Sequence, residues 1–178
     1  ATNARLIIED DDSSLIFSEK YNMSDFESIE DLISFYLKKN NLMNSVKSAI
    51  LGVAAPILGN DIHFINNNFN FKINQIKKKY FPNNLAVLND VQLQAYSLNT
   101  IKSKNIISVG KIKRSEFGPK ILVVPGTGLG LAILNSNEAI ATEAGHMNIP
   151  HYDSSLNNLI ETFEILNGRA PTFEDLIS

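Results

Sequence analysis

The stretch SAILGVAAPI, residues 48–57, is apolar at almost every position, without the alternation of a strand that has one wet face. A run of this length and character fits a sheet strand covered on both sides. NLAVLND, residues 84–90, repeats the pattern and ends in two polar residues. Between them, Gly59-Asn60-Asp61 makes a turn, IHFIN reads as a short strand, and FKINQIKKKYF reads as a helix with a basic outer face, stopped by Pro82. Strands alternating with helices predict an α/β fold with a mixed sheet.

The flanks extend this alternation. ARLIIEDDDSSLIFSEKY, residues 4–21, reads as a hairpin around an Asp/Ser turn. Ser24 and Glu27 have capping-box spacing. Phe26, Ile29, Ile33 and Leu37 recur at helical spacing behind them, which predicts a helix over 25–39. A further helix is expected from Val91 to about Ile101. Residues 102–120 are polar and Gly/Pro-bearing, so the chain reads as two domains, 1–101 and 102–178. The second opens with a β-rich segment to about Ile149. The helix SSLNNLIETFEILN follows, with Gly168 as its C′ residue, and Thr172 then caps a last helix with Asp175 at its third position.

Composition narrows the function. The chain has 178 residues, 20% of them charged, and a net charge of −3, which gives no electrostatic footprint for nucleic acid or an anionic membrane. No apolar run reaches the roughly 20 residues of a membrane span. There is no cysteine, which excludes disulfides and Cys-ligated zinc, and the three histidines His63, His146 and His151 are too few for a His-rich metal site. A cytoplasmic location is the expectation.

Four polar constellations could carry chemistry. In KILVVPGTGLGLAIL, Gly126, Gly128 and Gly130 sit between two apolar runs. The loop is either a bare hairpin turn or a nest of backbone N–H groups for a phosphate. It lacks the Lys-Ser/Thr of a Walker A loop and opens no helix, so it is not a Rossmann fingerprint. Asn89-Asp90 stands at the carboxyl end of an apolar strand, the usual ligand edge of an α/β sheet. Asp90 there is either a general base or the N-cap of the next helix. TEAGHMNI sets Glu143 and His146 around a small-residue turn, a pair able to grip a polyol or to serve structure alone. Glu174 is either a further ligand or simply a carboxylate favoured near a helix N-terminus.

The order of these pieces is more telling than any one of them: TNAR, A-x-P-I, ND, GTGLG, E-x-G-H and P-x-x-E. In this order the sequence resembles bacterial glucokinases, ATP-dependent hexokinase relatives within the actin-like ATPase superfamily. Thr2-Asn3-Ala4-Arg5 matches the end of that family's first phosphate motif, D-x-G-G-T-N-x-R, and residues 126–130 match its second. The Cys-rich cluster that follows E-x-G-H in the related zinc-containing ROK kinases is absent here.

The resemblance implies a ribonuclease H-like, actin/hexokinase-type α/β fold, with a small domain and the first part of a large one. It implies D-glucose and ATP as partners, Mg²⁺ as cofactor, no metal held by protein side chains alone, and a homodimer as a compatible assembly. Thr2, Gly126, Thr127, Gly128, Leu129 and Gly130 would hold nucleotide phosphates. Asn89, Asp90, Glu143, His146 and Glu174 would hold the sugar, with Asp90 taking the proton of its 6-hydroxyl. The reaction implied is phosphoryl transfer to glucose, giving glucose 6-phosphate at the entry to glycolysis. Alternatives of the same fold are a non-catalytic sugar-binding remnant or regulator, or a kinase for another hexose. Ala1, Val124 and Ala144 stand where the family commonly has glycine. The family pattern also extends beyond both ends of these 178 residues, so this stretch alone is expected to be inactive.

Overall fold

A computed structural model describes residues 3–64, 69–110, 118–126, 128–150 and 154–177. The chain forms two compact units, Ala1–Asp90 and Val91–Ser178.

In the first unit β1 (Asn3–Glu9) and β2 (Leu15–Asn22) form the expected antiparallel hairpin. Its turn is organised by Asp10, whose carboxylate accepts from the backbone N–H of Asp12 (3.1 Å) and Ser14 (2.9 Å). The amphipathic helix is α1 (Ile29–Lys39), and it starts later than the capping box at Ser24 suggests. Ser28 is the N-cap: its hydroxyl accepts from the Asp31 N–H at 3.1 Å, with Glu30 and Asp31 in the first turn. Residues 23–25 instead make a separate 3-10 turn. Phe26 stays extended, its ring edge-on to Tyr21 and packed on Phe35. That aromatic contact explains why the helix does not begin at Asp25.

β3 (Ser48–Val53) and β6 (Asn84–Asn89) pair in parallel, from Ser48 opposite Asn84 to Val53 opposite Asn89. β3 alternates between exposed and more buried positions, with Ile50 exposed, so it is not covered on both sides as the apolar run suggested. Between them lie β4 (Asp61–Ile62), β5 (Phe71–Lys72) and α2 (Ile73–Tyr80). Of IHFIN, Ile62 ends β4 and residues 65–66 lie outside the described residues, and the helix begins two residues into FKINQIKKKYF. Ile33, Tyr36 and Leu37 of α1, Ile76 and Tyr80 of α2, and Val53, Ile62 and Leu85 of the strands form one buried core. Instead of one mixed sheet, the described strands of this unit form three separate two-stranded ladders.

The second unit is built on an antiparallel meander: β7 (Lys120–Pro125), β8 (Leu129–Asn135) and β9 (Glu138–Thr142). One face, with Ala132, Leu134, Ala139 and Leu122, packs against Val91, Ala95 and Leu98. These belong to α3 (Asp90–Tyr96) and the 3-10 turn that continues it. Gln92 reinforces the contact by donating to the Ala139 carbonyl at 2.7 Å. The division at Asp90/Val91 therefore precedes the 101/102 boundary read from the sequence, because α3 buries its apolar side on the meander. The other face of the meander leaves Ile121 (64%), Val123 (51%) and Ile140 (52%) exposed. α4 (Ser154–Asn167) matches its sequence prediction, and Gly168 closes it at φ 68° with its N–H on the Glu164 carbonyl at 2.8 Å.

Candidate functional site

The Gly-rich loop is a tight hairpin turn joining β7 to β8. Pro125 pairs with Leu129, and the Gly126 N–H donates to the Gly128 carbonyl at 2.9 Å. Its glycines sit where neighbours approach closely, and neither Gly126 nor Gly130 has positive φ. A Cβ on Gly128 would stand 2.8 Å from a carboxylate oxygen of Glu174, and one on Gly130 would stand 2.6 Å from Val91 Cγ2.

The E-x-G-H segment forms a 3-10 turn, Ala144–His146, directly after β9. Thr142 ties it to the meander, its hydroxyl donating to the Leu131 carbonyl (3.1 Å) and accepting from Ala144 N–H (3.4 Å). The turn lies so close to β8 that a Cβ on Gly145 would fall 2.1 Å from the Leu129 carbonyl oxygen. Only glycine fits there without a backbone shift.

Past this turn, residues 147–149 run antiparallel to 171–173. Ile149 N–H donates to the Pro171 carbonyl (3.0 Å) and Phe173 N–H to the Met147 carbonyl (3.1 Å), flanking an Asn148–Thr172 bridge. This ladder delivers Glu174 to the hairpin, where its Oε2 accepts from Leu129 N–H at 3.1 Å. His146 stands between two carboxylates, with Nε2 3.5 Å from Glu143 Oε2 and Nδ1 4.0 Å from Glu174 Oε2. Glu143 and His146 are mostly exposed, while Glu174 is 31% exposed.

Residues Glu174–Leu176 form a single 3-10 turn in place of the expected last helix. The cap chemistry around it is nevertheless reciprocal. Asp175 Oδ2 accepts from Thr172 N–H and Oγ1 (both 2.8 Å), and Asp175 N–H donates to Thr172 Oγ1 at 3.4 Å. Arg169 adds a bidentate pair to the same carboxylate at 2.7 and 2.8 Å. The Arg169 guanidinium first, and then the Thr172 amide, hold the Asp175 carboxyl well below the usual carboxylate range. Arg169 had no sequence signal, and Asp175 showed only as a cap.

Of the candidate residues, the structure brings together Glu143, His146, Glu174, Gly128 and Leu129, with Gly126 and Gly130 on the same hairpin. Asn89 and Asp90 lie where the sequence placed them, at the carboxyl end of β6 in the first unit, both half-buried. Thr2 and Thr127 fall outside the described residues. The grouped set offers carboxylates to accept hydroxyl protons, an imidazole to donate or accept, and backbone amides for anionic oxygen. The Leu129 amide already donates to one such oxygen, that of Glu174. Among the described residues no group of three or more His, Cys, Asp or Glu could hold a metal ion, and no helix is long and apolar enough to cross a membrane.

A family model for glucokinase matches residues 1–177. The chain is 31% identical over 156 residues to a glucokinase of Neisseria meningitidis, and 32% identical over 161 residues to one of Helicobacter acinonychis. Each alignment covers 85% of this chain and 47% of the relative, so the chain spans about half the length of the curated relatives it matches. The crystal structure of a glucokinase from an Antarctic psychrotroph superposes with a TM-score of 0.79 at 22% identity, covering 100% of this chain and 58% of that one. The fold is therefore the actin/hexokinase-type α/β fold expected from the motifs. Together with the family model and the two relatives, it supports one assignment: this chain belongs to the glucokinase family.

Proposed function

We propose that this chain carries the sugar-reading and phosphate-reading residues of an ATP-dependent glucokinase, which phosphorylates D-glucose at its 6-hydroxyl in the cytoplasm. The observation that carries this reading is the convergence of Glu143, His146 and Glu174, with Glu174 hydrogen-bonded to the Gly-rich hairpin. Polyol recognition and phosphate recognition are thereby in direct contact within one unit of the chain.

In this reading Glu143, His146, Glu174 and Asn89 take up sugar hydroxyls. A sugar with one hydroxyl misplaced leaves a polar group without its partner, which is the physical basis of discrimination among hexoses. Asp90 accepts the proton of the 6-hydroxyl as that oxygen bonds to the γ-phosphorus and the bond to the departing ADP breaks. Thr2 and the amides of the 126–130 hairpin hold the nucleotide's phosphates. Mg²⁺ brought with the nucleotide would supply neutralisation of the charge that develops on the transferred phosphoryl group. The residues thus contribute placement more than bond-making.

The test is a pair of measurements on the gene's full-length product. Calorimetry with D-glucose, D-mannose, D-galactose and N-acetylglucosamine should show preference for glucose, and a coupled assay should detect glucose 6-phosphate. Asp90→Asn is expected to lower turnover by at least about a hundredfold while glucose affinity stays within a few-fold. Near-normal turnover in that variant removes Asp90 from the chemistry. Glucose binding with no transfer by the unmodified protein identifies a sugar-binding module in place of a kinase.

A further inference from the structure

We propose that Asp175, clamped by Arg169 and Thr172, is a positioning residue that fixes Glu174 between the Gly-rich hairpin and His146. This proposal rests on the reading of Glu174 as a sugar ligand and adds to it a second layer of residues that touch neither sugar nor nucleotide.

The element that carries Glu174 is only three residues long. A lone 3-10 turn has too few internal hydrogen bonds to hold its own register. Its place is set from outside, by the 147–149 and 171–173 pairing on one side and by the Asp175 carboxylate on the other. That carboxylate takes four donors: Thr172 N–H, Thr172 Oγ1, and two guanidinium N–H groups of Arg169. It is 20% exposed beside an Arg169 that is 55% exposed, so the pair is only partly screened by water. Charge-assisted, bidentate bonds impose direction as well as attraction. Glu174, one residue before this anchor, makes the 3.1 Å bond to Leu129 N–H and approaches His146 at 4.0 Å. Moving the turn by an ångström would break the first and lengthen the second.

The Leu129 amide reports on this position without any ligand, because a donor to a carboxylate resonates at a distinct proton shift. In ¹H–¹⁵N spectra of the 178-residue chain, Asp175→Ala should move the Leu129 amide towards its position in Glu174→Gln. The resonances of β1 and β2 should stay in place. Arg169→Gln, a change at a more exposed side chain, should produce a smaller shift in the same direction. Asp175→Asn, which keeps an oxygen for Thr172, should fall between the wild type and Asp175→Ala. Glucose affinity should fall in the same order, by on the order of tenfold in Asp175→Ala. An unchanged Leu129 amide in both Asp175→Ala and Arg169→Gln overturns the proposal. So does collapse of the whole second unit's spectrum in both variants, since Asp175 would then hold the fold instead of one side chain. If the gene's full-length product binds no glucose, the reading of Glu174 as a sugar ligand fails, and the Leu129 shift still decides the positioning role.

Discussion

Gly145 and Gly130 are both glycine because a neighbour leaves no room, yet they differ in what that neighbour can do. At Gly145 the obstacle is the Leu129 carbonyl oxygen, part of the β8 backbone, whereas at Gly130 it is a methyl of Val91. Gly145→Ala should therefore destabilise by about 1–3 kcal/mol, since strand or turn must move. Gly130→Ala should cost less, and adding Val91→Ala should recover part of the loss, as a double-mutant cycle of thermal melts would measure. Equal costs at the two positions, with no recovery, would contradict this account. The E-x-G-H spacing was legible in the sequence, but the obstacle was not, because β8 lies far from Gly145 along the chain. The same limit applies to the Arg169–Asp175 pair: one cap residue was visible, its cationic partner was not. Glu143 and His146 are three residues apart, so their proximity could be read from a local turn. Glu174 joins them only through the pairing of 147–149 with 171–173.

For α1, the choice between two serines decided where the helix starts. Both head a plausible cap, and the sequence pattern favoured Ser24 through Glu27. The structure uses Ser28 because Phe26 is drawn into the Tyr21 and Phe35 rings. Ser28→Ala should cost about 1 kcal/mol in urea unfolding, and Ser24→Ala only a few tenths. The reverse order would show that the cap lies at Ser24. α4 and the β1–β2 hairpin were legible in full, since each carries its own periodicity and its own turn or cap residues.

The far end of α1 is tied to β2 by Glu19, which accepts from Lys39, Tyr21 and Asn40. Lys39 first, and then Tyr21, lower its carboxyl from 4.5 to about 2. A depressed folded pKa means this contribution is complete above pH 4.5 and is lost as pH falls towards 2. Urea midpoints across that interval should fall less steeply for Glu19→Gln than for the unmodified chain, and less steeply for both in high salt. An identical acid slope in the variant would remove Glu19 from the linkage.

At the scale of the whole chain, the meander presents an apolar surface that its own core does not cover. On the meander, Ile121, Ile133 and Ile140 line up across three strands, next to Val123 on the same face. Two of these isoleucines, and Val123, are more than half exposed. Such a face favours association with further apolar surface. Light scattering of the 178-residue chain should rise with concentration, and Ile121→Lys with Ile140→Glu should suppress it without lowering the melting temperature by more than a few degrees. Scattering that persists unchanged would point to another surface. The buried side of α3 could not be anticipated, because it depends on a meander that begins some twenty residues later.

The contact between Gly128 and Glu174 has a consequence for inheritance. A methyl carbon at 128 would stand 2.8 Å from a Glu174 carboxylate oxygen, so a change at one codon is felt at the other. Gly128→Ala should push the acid away from the Leu129 amide, and Glu174→Asp should leave that amide short of its acceptor. Made together, the two changes relieve the crowding but do not return the acceptor. A lineage that altered both codons would thus recover the space and not the hydrogen bond, which ties the glycine to the glutamate in descent.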